Sequence, residues 1–220
     1  MERTSGASVR LNSSDLASSR TIPSSRLRYT PDVGRGAVFV DRDGTLIEEA
    51  GYLSRLDRLA FFPFTVDAIR QLNRAGLAVV VITNQSGIAR GIVTEQFVAE
   101  THRHISARLE AGGARVDGYY HCPHHPDATI PSLRLSCDCR KPLPGLLVRA
   151  AADLALDLKQ SFTVGDRRDD VEAGLAAGTR TVQVRTGYGL TGDSKPPGMA
   201  DVVVDNLAAA AAWILTRERR

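Results

Sequence analysis

Six short runs of apolar residues recur along the chain, and between them the apolar residues fall at helical spacing. The runs are AVFV at 37–40, LAVVVI at 77–82, VDGYYH at 116–121, SFTVG at 161–165, TVQV at 181–184 and DVVV at 201–204. AVFV and LAVVVI are apolar throughout rather than alternating, which is the signature of strands buried on both faces. Between them Val66, Ile69 and Leu72 mark a helix stopped by Gly76. Val98, Thr101, Ile105 and Leu109 mark a second, entered at Thr94 and stopped by Gly112. Pro144 suits the first turn of a third helix carrying Leu147, Ala151 and Leu154, and Val171 and Leu175 mark a fourth ending at Gly178. An alanine-rich helix at 207–212 closes the chain. Strand and helix therefore alternate, and the expected fold is α/β: a doubly wound, mainly parallel sheet with helices on both faces, joined by right-handed crossovers.

Residues 1–34 break this pattern. They hold eight Ser and five Arg with no apolar period, and are expected to form a disordered N-terminal extension ahead of one domain at 35–220. Arg- and Ser-rich composition also describes organellar transit peptides, but Glu2, Asp15 and the lack of an amphipathic face weigh against one. The whole chain has 28 basic and 25 acidic residues, of which the extension takes five and three, leaving 23 against 22. A body so nearly neutral gives no footprint for nucleic acid or an acidic membrane. The longest apolar runs, at 77–82 and 207–215, fall short of the roughly 18 residues that span a bilayer, so no membrane segment is expected.

In a doubly wound sheet ligands bind outside the carboxyl ends of the strands, so the residues just after each run carry the chemistry. After the first run comes DRDGTL, with Asp41 and Asp43 at i and i+2 and therefore on one face of an extended segment. Gly44 then allows a sharp turn. Thr83 and Asn84 follow the second run, Asp166, Asp169 and Asp170 follow the fourth, and Arg140-Lys141-Pro142 lies between. Singly these are ordinary turns and caps. Together they gather acids, a hydroxyl and a lysine at one edge, where the acids would repel without a hard divalent cation such as Mg²⁺.

DRDGTL at 41–46, TNQSGIARG at 83–91, CRKP at 139–142 and GDRRDD at 165–170 resemble, in order, the four motifs of the haloacid dehalogenase superfamily of aspartyl phosphatases. TNQSGIARG, a Cys/His loop and CRKP are similar to its heptose bisphosphate and histidinol-phosphate phosphatase branch. The resemblance spans residues 36–190. It implies that Asp41 is the nucleophile and Asp43 the acid and then the base. It further implies Mg²⁺ held by Asp41, Asp166 and the backbone carbonyl of Asp43, and phosphoryl oxygens held by Thr83, the Asn84 backbone and Lys141, with Arg140 on the substrate. Two positions depart from the usual pattern: Arg167 where relatives often carry Lys, and Phe64 where Gly is usual after Pro. Arg167 keeps the charge and changes the hydrogen-bond geometry.

All three cysteines lie within residues 122–139. Cys122-x-His124 and Cys137-x-Cys139 make a complete tetrahedral zinc shell with no open position, which is a structural rather than a catalytic arrangement. Thiols available to a metal point to a reducing compartment, and a cytoplasmic enzyme is expected. His125 is a substitute ligand or faces the substrate, whereas His102, His104 and His121 are expected on strand or helix surfaces. About twenty residues separate DRDGTL from the next helix, too few for a separate cap domain. The open site then draws its specificity from residues 48–58, 86–90 and the zinc loop. The leading expectation is a monomeric Mg²⁺-dependent phosphatase acting on a small sugar phosphate, the C7 phosphate of a heptose 1,7-bisphosphate. The alternatives are a histidinol-phosphate phosphatase, a noncatalytic zinc-stabilised binding module and a nucleic-acid 3′-phosphatase.

Overall fold

The structure is a computed structural model and describes residues 34–190 and 200–218. The expected extension at residues 1–34 therefore lies, up to residue 33, outside the described residues. The six expected strands are present: β1 (Ala37–Val40), β2 (Ala78–Asn84), β3 (Gly118–Cys122), β4 (Phe162–Gly165), β5 (Arg180–Val184) and β6 (Val202–Val204). Helices α1 (Thr65–Arg74), α2 (Ser86–Ala89), α3 (Glu95–Ala111), α4 (Gly145–Asp153), α5 (Arg168–Ala177) and α6 (Leu207–Glu218) connect or follow them. The strands form one sheet in the order β3-β2-β1-β4-β5-β6, and every pairing is parallel.

Alternation along the buried strands divides the core between the two faces of the sheet. Val38, Val40, Val79 and Val81 pack with α1, α3 and α6 through Ile69, Leu72, Ile105, Leu109, Leu207 and Ile214. Phe39, Val80 and Ile82 pack on the other face with Leu146, Leu147 and Ala150 of α4 and Ala173 of α5. Each face is covered, which is why the central strands β1 and β4 are buried along their whole length.

The chain winds outward from β1 through β2 to β3, then returns to the other side of β1 to build β4, β5 and β6. Crossovers thus diverge on either side of β1, which opens a crevice at the carboxyl ends of β1 and β4. Between β1 and α1, residues 41–64 contain a single 3-10 turn, Leu56–Arg58, and isolated bridges from Ile47 to Asp43 and Phe61. No separate cap domain covers the crevice among the described residues.

Helix boundaries follow local chemistry. The Thr94 side chain accepts from the Phe97 N–H at 3.1 Å to start α3, and Gly178, at φ +81°, ends α5 in the left-handed conformation that glycine tolerates. Two sequence expectations are corrected. Leu175 is exposed, because α5 approaches the sheet through Gly174, where a Cβ would come within 2.7 Å of the Thr163 side chain. His102 is buried rather than on a helix surface, with its ring stacked on Tyr119 at 4.5 Å between centroids.

Candidate active site

Asp41 is the first residue past β1. Its backbone N–H donates to Val164 O of β4 at 2.9 Å, which fixes it at the mouth of the crevice. Gly44 follows at φ +83°, and a Cβ there would lie 2.4 Å from Asp166 Oδ2, so the DRDG turn can close against β4 only with glycine.

At the centre sits the Lys141 ammonium, 3% exposed. It donates to Asp41 Oδ1 at 2.6 Å, to Asp170 Oδ1 at 2.5 Å and to the Ile82 carbonyl at 3.0 Å. Three good acceptors match its three N–H groups, so the buried cation is fully satisfied. Its backbone is also gripped, since Asn84 Nδ2 donates to the Lys141 carbonyl and Asn84 Oδ1 accepts from its N–H, at 3.0 and 3.1 Å. Because the Asn84 side chain is occupied in this way, only its backbone is left to meet a phosphate.

Asp170 was legible as an acid of GDRRDD but not as the second partner of Lys141. Its other oxygen accepts from the Arg167 N–H at 3.0 Å, which closes the first turn of α5. Asp166 is fully buried. Its Oδ2 accepts from the Tyr188 N–H at 2.7 Å, whereas its Oδ1 has no hydrogen-bond partner among the described residues. Burial, with Lys141 opposing, leaves the Asp41 carboxyl raised to about 7. Burial and the neighbouring Asp41 and Asp170 raise Asp166 to about 8.

Carboxylate oxygens of Asp41, Asp166 and Asp170 lie within 4.8 Å of one another. One lysine cannot neutralise three acids, and the orphaned oxygen of Asp166 lacks a positive partner. These residues fit a small divalent cation, which Asp41 and Asp166 would hold.

Asp43 is held by partners outside this cluster. Arg42 Nε and Nη2 donate to its Oδ2 and Oδ1, each at 3.0 Å. Gln85 Nε2 donates to Asp43 Oδ2 at 3.0 Å and to Thr83 Oγ1 at 2.8 Å. Neither Arg42 nor Gln85 was singled out from the sequence. The signal was available for Gln85, which stands at i+2 from Thr83 as Asp43 stands at i+2 from Asp41.

Asp41, Asp43, Thr83, Asn84, Arg140 and Lys141 line one cavity of about 360 Å³, whose wall also includes Glu49, Tyr52, Arg90, His125 and Arg167. The guanidinium of Arg167 lies 4.2 Å from the centre of the Tyr188 ring, so the charge at this departure from the usual Lys is held at the rim. Phe64, the other departure, stacks on Phe62 at 5.2 Å against the core, remote from the acids.

A second cluster joins β3 to the loop before α4. Sγ of Cys122 lies 3.6 Å from Sγ of Cys137, and Sγ of Cys139 lies 3.3 Å from Cys137. Nδ1 of His124 is 3.7 and 3.4 Å from Cys122 and Cys139. Tetrahedral zinc with bonds of about 2.3 Å to sulfur and 2.0 Å to nitrogen requires edges of about 3.8 and 3.5 Å. The donor set fits that ion in number, chemistry and spacing. Burial pushes the Cys122 and Cys139 thiols up, so a metal binding here would displace protons.

Comparison with known proteins agrees with this geometry. The D-glycero-beta-D-manno-heptose-1,7-bisphosphate 7-phosphatase of Yersinia pestis is 42% identical over 173 residues, covering 78% of this chain and 91% of the relative. The enzyme of that name from Salmonella typhi is 42% identical over 184 residues, 83% of this chain and 97% of its own. The chain belongs to the haloacid dehalogenase superfamily and is a phosphatase. A HAD-hydrolase-like family model matches residues 138–210. The solved D,D-heptose 1,7-bisphosphate phosphatase from B. bronchiseptica, complexed with magnesium and phosphate, superposes with a TM-score of 0.73. It is 32% identical and aligns with 83% of this chain and 99% of its own.

Proposed function

We propose that this phosphatase is Mg²⁺-dependent and removes the C7 phosphate of D-glycero-D-manno-heptose 1,7-bisphosphate, through an aspartyl-phosphate formed on Asp41. The observation that carries the reading is the 42% identity, over nine-tenths of their length, to enzymes named for that reaction on the beta anomer. Magnesium in the similar B. bronchiseptica structure and the orphaned oxygen of Asp166 support the cation. Bound between Asp41 and Asp166, it would supply the charge that lets an anionic carboxylate approach an anionic phosphate.

In the first step an Asp41 oxygen bonds to phosphorus as the bond to the sugar oxygen breaks, and the Asp43 carboxyl gives its proton to that oxygen. In the second step Asp43, now ionised, takes a proton from water as the water attacks the aspartyl-phosphate, and inorganic phosphate leaves. Lys141, which exchanges its Asp41 acceptor for a phosphoryl oxygen as Asp41 turns to phosphorus, acts with the Thr83 hydroxyl and the Asn84 backbone to hold the phosphoryl oxygens as charge develops on them. Thr83 suits this role because its oxygen already accepts from Gln85, which leaves its O–H to donate. Arg140 meets the substrate beyond the reacting phosphate. The zinc cluster keeps the chain before Arg140 in place, and we take the enzyme to act as a monomer in the cytoplasm, with residues 35–220 as the catalytic domain.

The test is phosphate release from both anomers of the heptose bisphosphate, fructose 1,6-bisphosphate, histidinol phosphate and a 3′-phosphorylated oligonucleotide. The beta heptose should exceed the other classes in kcat/KM by about a hundredfold or more. Preference for histidinol phosphate or the oligonucleotide would overturn the reading. Asp41→Asn should abolish turnover with the fold retained, and a labelled phosphoryl group should be trapped on Asp41 in the unaltered enzyme.

A further inference from the structure

The Arg42 side chain is 3% exposed, and its guanidinium has one hydrogen-bond partner among the described residues, the Asp43 carboxylate. A guanidinium taken out of water this fully is costly unless it is paired in good geometry, and the two parallel N–H···O contacts provide that pairing. The Arg42 charge also acts on His102 of α3, which burial first, and then Arg42, lower to about 3, so that ring is neutral. Arg42 and Asp43 are thus locked to each other.

A carboxylate has about four lone-pair sites. Two on Oδ2 are taken by Arg42 Nε and Gln85 Nε2, and one on Oδ1 by Arg42 Nη2. The site left over belongs to Oδ1. We propose that Arg42 is a positioning residue for Asp43: with Gln85 it sets the rotation of the carboxyl so that Oδ1 is the oxygen that gives up and regains the proton. This rests on the reading of Asp43 as the proton-transfer group. It adds which oxygen acts, and it assigns a task to a buried arginine that touches neither phosphate nor metal.

Proton donation matters in proportion to how poor the leaving group is. Phenyl phosphate and p-nitrophenyl phosphate differ in that respect and carry no sugar, so the comparison does not depend on the natural substrate. The measurement is kcat/KM, which ends with transfer to Asp41 and is blind to hydrolysis of the aspartyl-phosphate. Arg42→Met should lose about a hundredfold on phenyl phosphate and tenfold or less on p-nitrophenyl phosphate, toward the low end of a general-acid effect. Arg42→Lys, which keeps the charge but reaches only one oxygen, should fall between it and the unaltered enzyme. If Arg42→Met does not fold, Arg42→Lys decides on the same ratio. Equal losses on the two esters would reduce Arg42 to a structural role, and no loss would make it idle; either outcome overturns the proposal. Asp43→Asn serves as the reference. If it shows no added penalty on phenyl phosphate, the fault lies with the role given to Asp43 rather than with Arg42.

Discussion

Replacing Cys137 with Ser tests how the zinc cluster communicates with the crevice. Arg140 and Lys141 both follow the last ligand, yet they are held very differently. The Lys141 backbone is gripped twice by Asn84, and its ammonium is bonded to Ile82, Asp41 and Asp170, all outside the cluster. The Arg140 guanidinium has one hydrogen bond among the described residues, at 3.3 Å to the carbonyl of His124 in the Cys/His cluster. Loss of the metal should therefore free Arg140 and leave Lys141 nearly in place. A charge-assisted hydrogen bond contributes about 1.5–3 kcal/mol, so KM for the sugar bisphosphate should rise about tenfold to a hundredfold. kcat should fall by less than about tenfold, since even a shift of roughly 1 Å at Lys141 could cost a hundredfold. Metal analysis should give about one zinc per chain before the substitution and none after it. Hydrogen exchange should quicken at residues 123–139 and not in β1, and excess Mg²⁺ should not restore KM. A collapse of kcat at unchanged KM would show that Lys141 depends on the cluster and would refute the division of roles drawn here. Full activity without zinc would refute the structural-metal reading itself.

Lys141→Met leaves Asp41 and Asp170 buried without their cation, and removal of one partner of such a pair costs about 3–5 kcal/mol. The deficit in a urea titration of metal-free protein should shrink as the pH falls toward 7 and level off below it, because Asp41, raised to about 7 with Lys141 opposing, is raised further without it and takes up its proton at higher pH in the variant. His102, held neutral down to about pH 3 by burial, works in the opposite direction. Its folded pKa lies below the ordinary 6.5, so the unfolded chain binds a proton that the folded one refuses, and stability is lost as the pH drops below 6.5. Between pH 7.5 and 5 this amounts to about 2 kcal/mol, which His102→Phe should recover relative to the unaltered chain; a difference independent of pH would count against it. Deleting residues 1–33, which lack an apolar period, should leave kcat/KM and Tm nearly unchanged, and a cooperative loss of stability would show that the segment packs.

The positions of the strands and of the strand-end residues were readable because burial on two faces forces an unbroken apolar run, and such a run ends where the chain leaves the sheet. That rule alone brought Asp41, Thr83 and Asp166 to one crevice. Period also located α3 with both of its caps. It failed for Leu175, where the helix face that approaches the sheet is made of Gly174 and Ala173: a close approach selects small residues, which an apolar period does not register. For His102 the residue type misled rather than the period: it stands four residues after Val98 and three before Ile105, on the buried face of α3, where its ring stacks on Tyr119 of β3.

The polar network behind the acids was hidden for a related reason. Arg42 is one residue from Asp43 in sequence, and adjacent side chains on an extended strand point to opposite faces, so period assigns the two to different environments. The chain turns at Gly44 immediately afterwards, and that turn lets the guanidinium fold back along its neighbour. Gln85 reaches Asp43 because β1 and β2 are paired in a register that sets Val40 opposite Val81, which carries both residues a similar distance past the last pair. Carboxylates, lysine and metal ligands announce themselves by type and position, whereas the residues that orient them are defined by partners that exist only in the fold. Substitutions at Arg42 and Gln85 should for that reason separate orientation from charge more cleanly than substitutions at Asp41 or Lys141, where both are lost together.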